Sequence, residues 1–213
     1  MKRIRSEAKS VEEALEQIKR KYDIREGEYE YRVVDKGFKG IFGLMSRNAV
    51  VEVTLNRNYY RRRVEEFLRG ILEYAGRIDR INIKTNDRTY FIDIDGEDIG
   101  KLIGRHGKTL GALQHIVSIF LNRLSDVKLN VVIDVGEYRE RRKKQLEQIA
   151  KEAIRKALEE KGKVVLDPMF PFERRIVHEI VKKHPKVTSY SIGVEPYRRV
   201  VIEYSRNGVK SGR

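Results

Sequence analysis

Residues 98–110, Asp-Ile-Gly-Lys-Leu-Ile-Gly-Arg-His-Gly-Lys-Thr-Leu, constrain the fold of this chain more than any other stretch. Two glycines bracket Arg105 and His106, and apolar residues at helical spacing lie on both sides. This pattern predicts a helix, a tight turn and a second helix. The second helix directs its first N–H groups and its positive dipole end toward the turn, where Arg105 and Lys108 add full charges. Such a turn is suited to hold a phosphodiester backbone.

The segments around the turn give it a specific structural context. We predict a helix over Arg61–Ala75, hairpin strands over Ile78–Lys84 and Thr89–Ile94, and a closing strand over Val127–Val135. With the two helices at the turn, the order is α-β-β-α-α-β. A Gly-x-x-Gly turn between the adjacent helices of this order resembles the type II KH domain, a module that binds single-stranded nucleic acid. The resemblance implies that the strand is bound by Lys101, Ile103, Gly104, Arg105, His106, Gly107 and Lys108.

Gly107-Lys108-Thr109 also looks like the end of a nucleotide-binding P-loop. That loop needs a glycine five positions before Gly107, where this chain has Leu102, and a strand that leads directly into the turn. Both are missing from the pattern, so we reject ATP or GTP binding by this segment. His106 has two readings that the sequence leaves open, because a partly charged imidazole could contact phosphate or simply occupy a variable position.

The charge of the chain indicates a polyanionic partner. The formal net charge is +14 over 213 residues, and residues 136–213 alone carry 20 Lys/Arg against 11 Asp/Glu. No stretch reaches the length of about 20 apolar residues that a spanning helix needs, and the N-terminus lacks the apolar core of a signal peptide. The chain has no cysteine, which fits a reducing cytoplasm. We therefore expect a cytoplasmic protein without a transmembrane segment.

The C-terminal part contains a second candidate binding site. A long charged helix over Gly136–Lys161 is followed by a short strand, a helix over Phe172–Lys183 and two further strands. Arg174 and His178 are four residues apart and should share a flank of the second helix. Arg-x-x-x-His, with the residues around it, resembles the R3H domain, which binds single-stranded nucleic acid. The resemblance implies phosphate contacts from Arg174, Arg175, His178 and Arg198.

Residues 1–55 predict a small β-α-β-β unit. Ser10 and Glu13 form a Ser-x-x-Glu capping pattern before a helix over Val11–Tyr22. A glycine-rich loop, Lys36-Gly-Phe-Lys-Gly-Ile-Phe-Gly43, carries Phe38, Ile41 and Phe42. Two interpretations stay open for this loop: an apolar cap over a small core, or a docking surface for a protein partner.

The three parts in this order resemble the Jag family, with a Jag N-terminal domain, a KH domain and an R3H domain. The resemblance implies an α+β chain of three small domains: a first module over 1–55, a KH module over 56–135, an R3H module over 136–205, and a tail over 206–213. It also implies a bacterial regulator that binds single-stranded RNA, with single-stranded DNA left open. Implied partners are a small single-KH-domain protein and membrane-associated cell-wall or insertase proteins. Many family members have a long acidic linker after the first domain, whereas the join here is only Asn56–Tyr60.

Two alternative classes of function are a protein-assembly adaptor and an enzyme. The chain could be a protein-assembly adaptor that acts through the first module, with nucleic-acid binding secondary. An enzyme is disfavoured, because the four histidines are scattered and no nucleophile–base pair or metal-spaced cluster occurs. We therefore expect no metal and no cofactor. A cationic pocket filled by the protein's own acidic side chains would contradict its assignment as a binding site.

Overall fold

We describe a computed structural model of the chain over residues 1–38, 46–73, 77–97, 99–195 and 197–205. The chain forms two compact units, one over Met1–Gly136 and the other from Glu137 onward. The described residues form three separate three-stranded sheets, two in the first unit and one in the second. The mixed α and β content and the three small sheets confirm the predicted fold class.

The first module has the predicted β-α-β-β order, with β3 as the central strand of an antiparallel sheet ordered β1-β3-β2. Every second residue of β3 is buried, so one face of this strand packs against α1. Ser10 caps α1 as predicted, because its Oγ accepts a hydrogen bond from the N–H of Glu13 at 3.2 Å. The elements are β1 (Arg3–Ala8), α1 (Val11–Tyr22), β2 (Tyr29–Asp35) and β3 (Ala49–Leu55).

The predicted join over Asn56–Tyr60 is wrong, because α2 (Arg57–Leu72) begins directly after β3. Asn56 is the N-cap of this helix, and its side chain accepts from the N–H of Asn58 at 2.9 Å. The two tyrosines in the first turn of the helix are buried, and each bonds back to the first module. The Tyr59 hydroxyl donates to the carbonyl oxygen of Tyr22, and the Lys2 N–H donates to the Tyr60 hydroxyl.

The KH module has the predicted α-β-β-α-α-β order. Its sheet is ordered β4-β5-β6, with β4 and β5 antiparallel and β5 and β6 parallel. Helix α2 packs against α4, where the rings of Phe67 and Phe120 stack with centroids 4.0 Å apart. The remaining elements are β4 (Arg77–Asn86), β5 (Thr89–Glu97), α3 (Gly100–Ile103), α4 (Lys108–Leu124) and β6 (Asn130–Val135).

The R3H module places two helices on one face of an antiparallel sheet ordered β7-β9-β8. Buried aliphatic side chains from both helices and all three strands form its core, which includes Leu146, Val177 and Ile202. The elements are α5 (Tyr138–Glu159), β7 (Lys163–Pro168), α6 (Pro171–Val181), β8 (Val187–Ile192) and β9 (Arg199–Tyr204).

Two further expectations from the sequence concern the glycine-rich loop and the lack of a membrane-spanning helix. Of the glycine-rich loop, Ile41 and Phe42 lie outside the described residues, while Phe38 is 59% exposed and pairs through its backbone with Arg47. Among the described residues, we find no helix with the length and apolar character needed to cross a membrane.

Candidate nucleic-acid interface

The turn between α3 and α4, which we call the clamp (Gly104–Lys108), depends on left-handed backbone. Gly104, His106 and Gly107 have φ angles of 67°, 53° and 80°. A Cβ atom at Gly104 would collide with the Thr109 side chain, so glycine is required there for space as well as for conformation. His106 adopts the left-handed region without being glycine, a conformation that costs energy and is concentrated at binding sites.

The clamp presents its charges to solvent. Lys101, Arg105, His106 and Lys108 are exposed, whereas Gly107 is buried under the turn. Among the described residues, no carboxylate forms an ion pair with Arg105 or Lys101. The N-cap residue of α4 is Gly107, which has no side chain to accept from the first N–H groups of the helix that begins at Lys108. An exposed guanidinium beside an uncapped helix N-terminus creates a local positive potential suited to a phosphate group.

Ile103 lies between the charged surface and the core. It is partly buried at the end of α3, while its neighbour Leu102 is buried. Ile103 therefore offers apolar surface directly before the clamp. The seven residues that the sequence assigned to this site lie together on one helix–turn–helix.

A second cationic site, the R3H pocket, is an open cavity of about 450 Å³ in the second unit. One face of α6 forms most of its wall, because residues three or four apart lie above one another on a helix. All four predicted residues of the R3H module contribute to it. Its lining consists of Pro171, Arg174, Arg175, His178, Glu179, Lys182, Ser191 and Arg198.

Arg174 lies on the same flank of α6 as His178, but its side chain is buried. Its side chain is only 8% exposed, and its Nη2 atom lies 2.8 Å from an oxygen of Glu195. Its Nη1 atom donates to the carbonyl oxygen of Met169 at 2.7 Å. The chain's own carboxylate therefore already compensates this guanidinium, and Arg174 can meet a phosphate only if Glu195 moves away. Arg175, the next residue on α6, is exposed.

His178 is held by two hydroxyls on β8. Its Nδ1 atom lies 2.7 Å from the Ser189 Oγ, and its Nε2 atom lies 2.9 Å from the Ser191 Oγ. Burial, and then the positive charges of the arginines and lysine around the pocket, lower the pKa of His178 below its ordinary value. The lowered pKa favours the neutral imidazole at pH 7.

The sequence did not predict two polar features of this pocket, which are the serine pair on β8 and Lys182. Ser189 and Ser191 are two residues apart on one strand, so they face the same side, and that alternation was the available signal. Lys182 is four residues after His178 and continues the same helical face. Arg198 was predicted, and its Nε atom is buried without a hydrogen-bond partner among the described residues.

Comparison with known families divides the chain into three consecutive matches. A family model described as Jag N-terminus matches residues 6–55, one described as KhpA/KhpB, KH domain matches residues 61–133, and one described as R3H domain matches residues 144–204. The clamp lies within the second match, and the R3H pocket lies within the third.

Three curated relatives carry the same name, RNA-binding protein KhpB. The protein from Clostridium symbiosum is 33% identical over 201 residues, which cover 93% of this chain and 90% of the relative. The protein from Bacillus subtilis (strain 168) is 27% identical over 209 residues, or 97% of this chain and 100% of the relative. The protein from Streptococcus pneumoniae serotype 2 is 38% identical over 118 residues, or 55% of this chain and 36% of the relative.

Proposed function

This chain belongs to the KhpB family, and from that membership we propose that it is a non-enzymatic regulator that binds single-stranded RNA in the cytoplasm. We propose the division into a first module over 1–55, a KH module over 56–135 and an R3H module over 136–205. The clamp binds the sugar-phosphate backbone of an unpaired segment, and the R3H pocket binds a further phosphate. Covalent linkage of two modest sites raises the local concentration of the strand at the second site.

The clamp geometry carries this proposal. Its left-handed glycines and its exposed cations at an uncapped helix N-terminus form a surface that recognises phosphate without reading bases. Side chains cannot read the deep groove of an RNA helix, so a shallow clamp of this kind favours an unpaired strand. Among the described carboxylates, none pairs with the exposed Arg105, so none of these has to be displaced before binding.

The test is the full-length double variant Arg105→Asp with His106→Asp. We expect RNA affinity, measured by fluorescence anisotropy with an unstructured oligonucleotide, to fall at least tenfold while the far-UV circular dichroism spectrum is unchanged. The matched control is Lys84→Asp with Arg88→Asp, which puts two carboxylates in place of exposed cations at the other end of the β4–β5 hairpin. Unchanged affinity in the clamp variant, or an equal loss in the control, would contradict the proposed role of the clamp.

The partner of the KH module is proposed to be a second, small single-KH-domain protein. Ile116 and Ile119 on α4 are 47% and 50% exposed, an unusual exposure for two neighbouring isoleucines on one helix. They lie beside the Phe67–Phe120 stack, which holds α4 against α2. A partner of the same domain type can offer an equivalent apolar helix to cover this surface.

The proposed KH partner can be tested by size-exclusion chromatography with light scattering. We expect Ile116→Asp to abolish the complex with a single-KH-domain protein, since a carboxylate would be buried without a partner. His115→Asp, which changes an exposed neighbour on α4, should leave the complex intact. A complex that survives Ile116→Asp would place the interface elsewhere.

The first module provides the proposed contact with membrane-associated cell-wall or insertase proteins. Edge strand β2 exposes Tyr31, Val33 and Val34, and Phe38 follows them with 59% exposure. Exposed apolar side chains along an unpaired strand edge suit an extended segment of another protein. Pull-downs that persist after RNase treatment and are lost with Val34→Asp would support this contact.

A further inference from the structure

Two phenylalanines lie at the start of α6, and one of them is exposed. Phe172, the second residue of the helix, is 44% exposed, and Phe170 precedes the helix. Their rings are nearly parallel, with an interplanar angle of 11° and centroids 6.2 Å apart. The guanidinium of Arg139, on α5 of the same unit, lies 5.8 Å from the centroid of the Phe172 ring. Aromatic rings with arginine beside them are the elements from which proteins build stacking sites for unpaired bases.

The backbone under this aromatic pair is rigid. Pro171 occupies the first helical position, where its fixed φ angle suits the helix start. The carboxylate of Glu173, which is fully buried, accepts a hydrogen bond from the Phe170 N–H at 2.8 Å. Its other oxygen lies 2.7 Å from the Nε of Arg142. Little conformational entropy would therefore be lost when a ligand orders this surface.

Phe172 also lies next to the R3H pocket. It is three residues before Arg175 on α6, which places the two Cβ atoms about 5–6 Å apart on one helix face. Pro171 and Arg175, which precede and follow Phe172 along α6, both line the pocket. A nucleotide whose phosphate contacts Arg175 would have its base within reach of the ring.

We propose that Phe172 is a stacking platform for one base of the strand whose phosphate lies in the R3H pocket. This inference rests on the proposed RNA binding by that pocket and deepens it by naming the group that receives a base. Stacking on a phenyl ring accepts any base, because every base has an aromatic face. The long side chain of Arg139 moves aside to admit the base and then flanks it.

The experiment uses the full chain with the clamp disabled by Arg105→Asp and His106→Asp, so that the R3H pocket dominates binding. Phe172→Ala and Phe172→Trp are compared on two probes, oligoadenylate and an abasic ribose-phosphate oligomer of the same length. We expect Phe172→Ala to weaken oligoadenylate binding roughly tenfold and abasic binding by less than about twofold. Phe172→Trp keeps an aromatic ring at this position and should bind oligoadenylate about as tightly as the clamp-disabled chain with Phe172.

Salt dependence supplies the second readout. The slope of log affinity against log salt should not change in Phe172→Ala, because no phosphate contact is lost. Arg175→Ala is the matched control, and it should weaken both probes and reduce the slope by about 0.7.

Equal weakening of both probes by Phe172→Ala would mean that the ring only supports the pocket, and it would overturn the platform. Unchanged binding of both probes would overturn it as well. If the clamp-disabled chain binds neither probe, the proposed function of the pocket fails, and the platform fails with it.

Discussion

Arg62 makes one of the contacts between the first module and the KH module, and we expect Arg62→Met to lower the free energy of unfolding of the full chain. Arg62 is only 13% exposed, and its guanidinium makes a two-point contact with Glu28, whose side chain is 7% exposed. The same guanidinium lies 2.9 Å from a carboxylate oxygen of Asp23 and 3.0 Å from one of Glu66. Arg62, near the start of α2, therefore faces acidic side chains of the protein itself.

The magnitude follows from what the substitution leaves behind. Arg62→Met leaves Glu28 buried with only the Arg25 N–H, at 2.8 Å, as a described partner. Removing one member of a buried ion pair costs about 3–5 kcal/mol, and the partial exposure of Arg62 places our expectation near 3 kcal/mol. Replacing both members, as Arg62→Met with Glu28→Gln, should cost less than about 1.5 kcal/mol, because no unpaired charge remains.

The assay is urea unfolding of the full chain followed by circular dichroism, since the chain contains no tryptophan. The control is Arg69→Met, which removes an exposed pair with Glu65 and should change stability by less than about 1 kcal/mol. Burial alone would raise the pKa of Glu28, but hydrogen bonds from Arg62 and from the Arg25 N–H outweigh it and hold that pKa below its ordinary value. Stability from a lowered carboxyl pKa is present above the unfolded pKa and is lost as pH falls through the folded one.

The difference between the original chain and Arg62→Met should therefore shrink as the pH falls below about 4. Equal stability of Arg62→Met and Arg69→Met at pH 7 would refute the reasoning. A double variant that is no more stable than Arg62→Met would refute it too, because the cost would then not come from the unpaired carboxylate.

Three further predictions concern the two binding sites. Gly104→Ala should lower the free energy of unfolding by about 1–3 kcal/mol in urea titrations, whereas Gly100→Ala, with no atom close to the added Cβ, should raise it slightly. RNA affinity of the clamp-disabled chain should rise from pH 7.5 to pH 6, because a bound phosphate favours protonation of His178, and His178→Gln should flatten this dependence in anisotropy titrations. Glu195→Gln should strengthen RNA binding several-fold in anisotropy titrations, because it removes the carboxylate that competes with phosphate for Arg174, and unchanged affinity would contradict a phosphate contact by Arg174.

The sequence predicted those parts of the fold that depend on residues close together along the chain. Helical spacing and the Ser10 cap predicted α1 with its observed bounds, Val11–Tyr22. The Gly-x-x-Gly spacing predicted the turn between α3 and α4, because few other residues tolerate its left-handed backbone. The sequence predicts the start of α2 too late, because the polar Asn56 and the two tyrosines after it have no helical spacing of apolar residues and look like a join. Asn56 is a cap, and the tyrosines are buried by contacts with β1 and α1 that no local pattern shows.

The charged residues were harder to predict, because their environment depends on partners distant in the sequence. Arg174 and Arg175 are adjacent and chemically identical, yet only Arg175 is exposed. Arg174 differs from Arg175 because its guanidinium binds Glu195, on the loop before β9, and the carbonyl oxygen of Met169. The spacing of arginine and histidine on α6 predicted a shared flank, and both side chains line the R3H pocket, but the spacing could not show which charge was already compensated.

The two sites therefore use positive charge in different ways. At the clamp, Arg105 is exposed and has no ion-pair partner among the described carboxylates, so we expect a phosphate bound there to gain its full attraction and to release counterions. In the R3H pocket, Glu179 and Glu195 lie among the cations, and the buried Nε of Arg198 is already partly desolvated. Binding there exchanges one set of internal contacts for another, which favours correct geometry over raw charge. It follows that the salt dependence of RNA binding should come mainly from the clamp, with a smaller share from the R3H pocket, where the protein's own carboxylates already offset part of the charge.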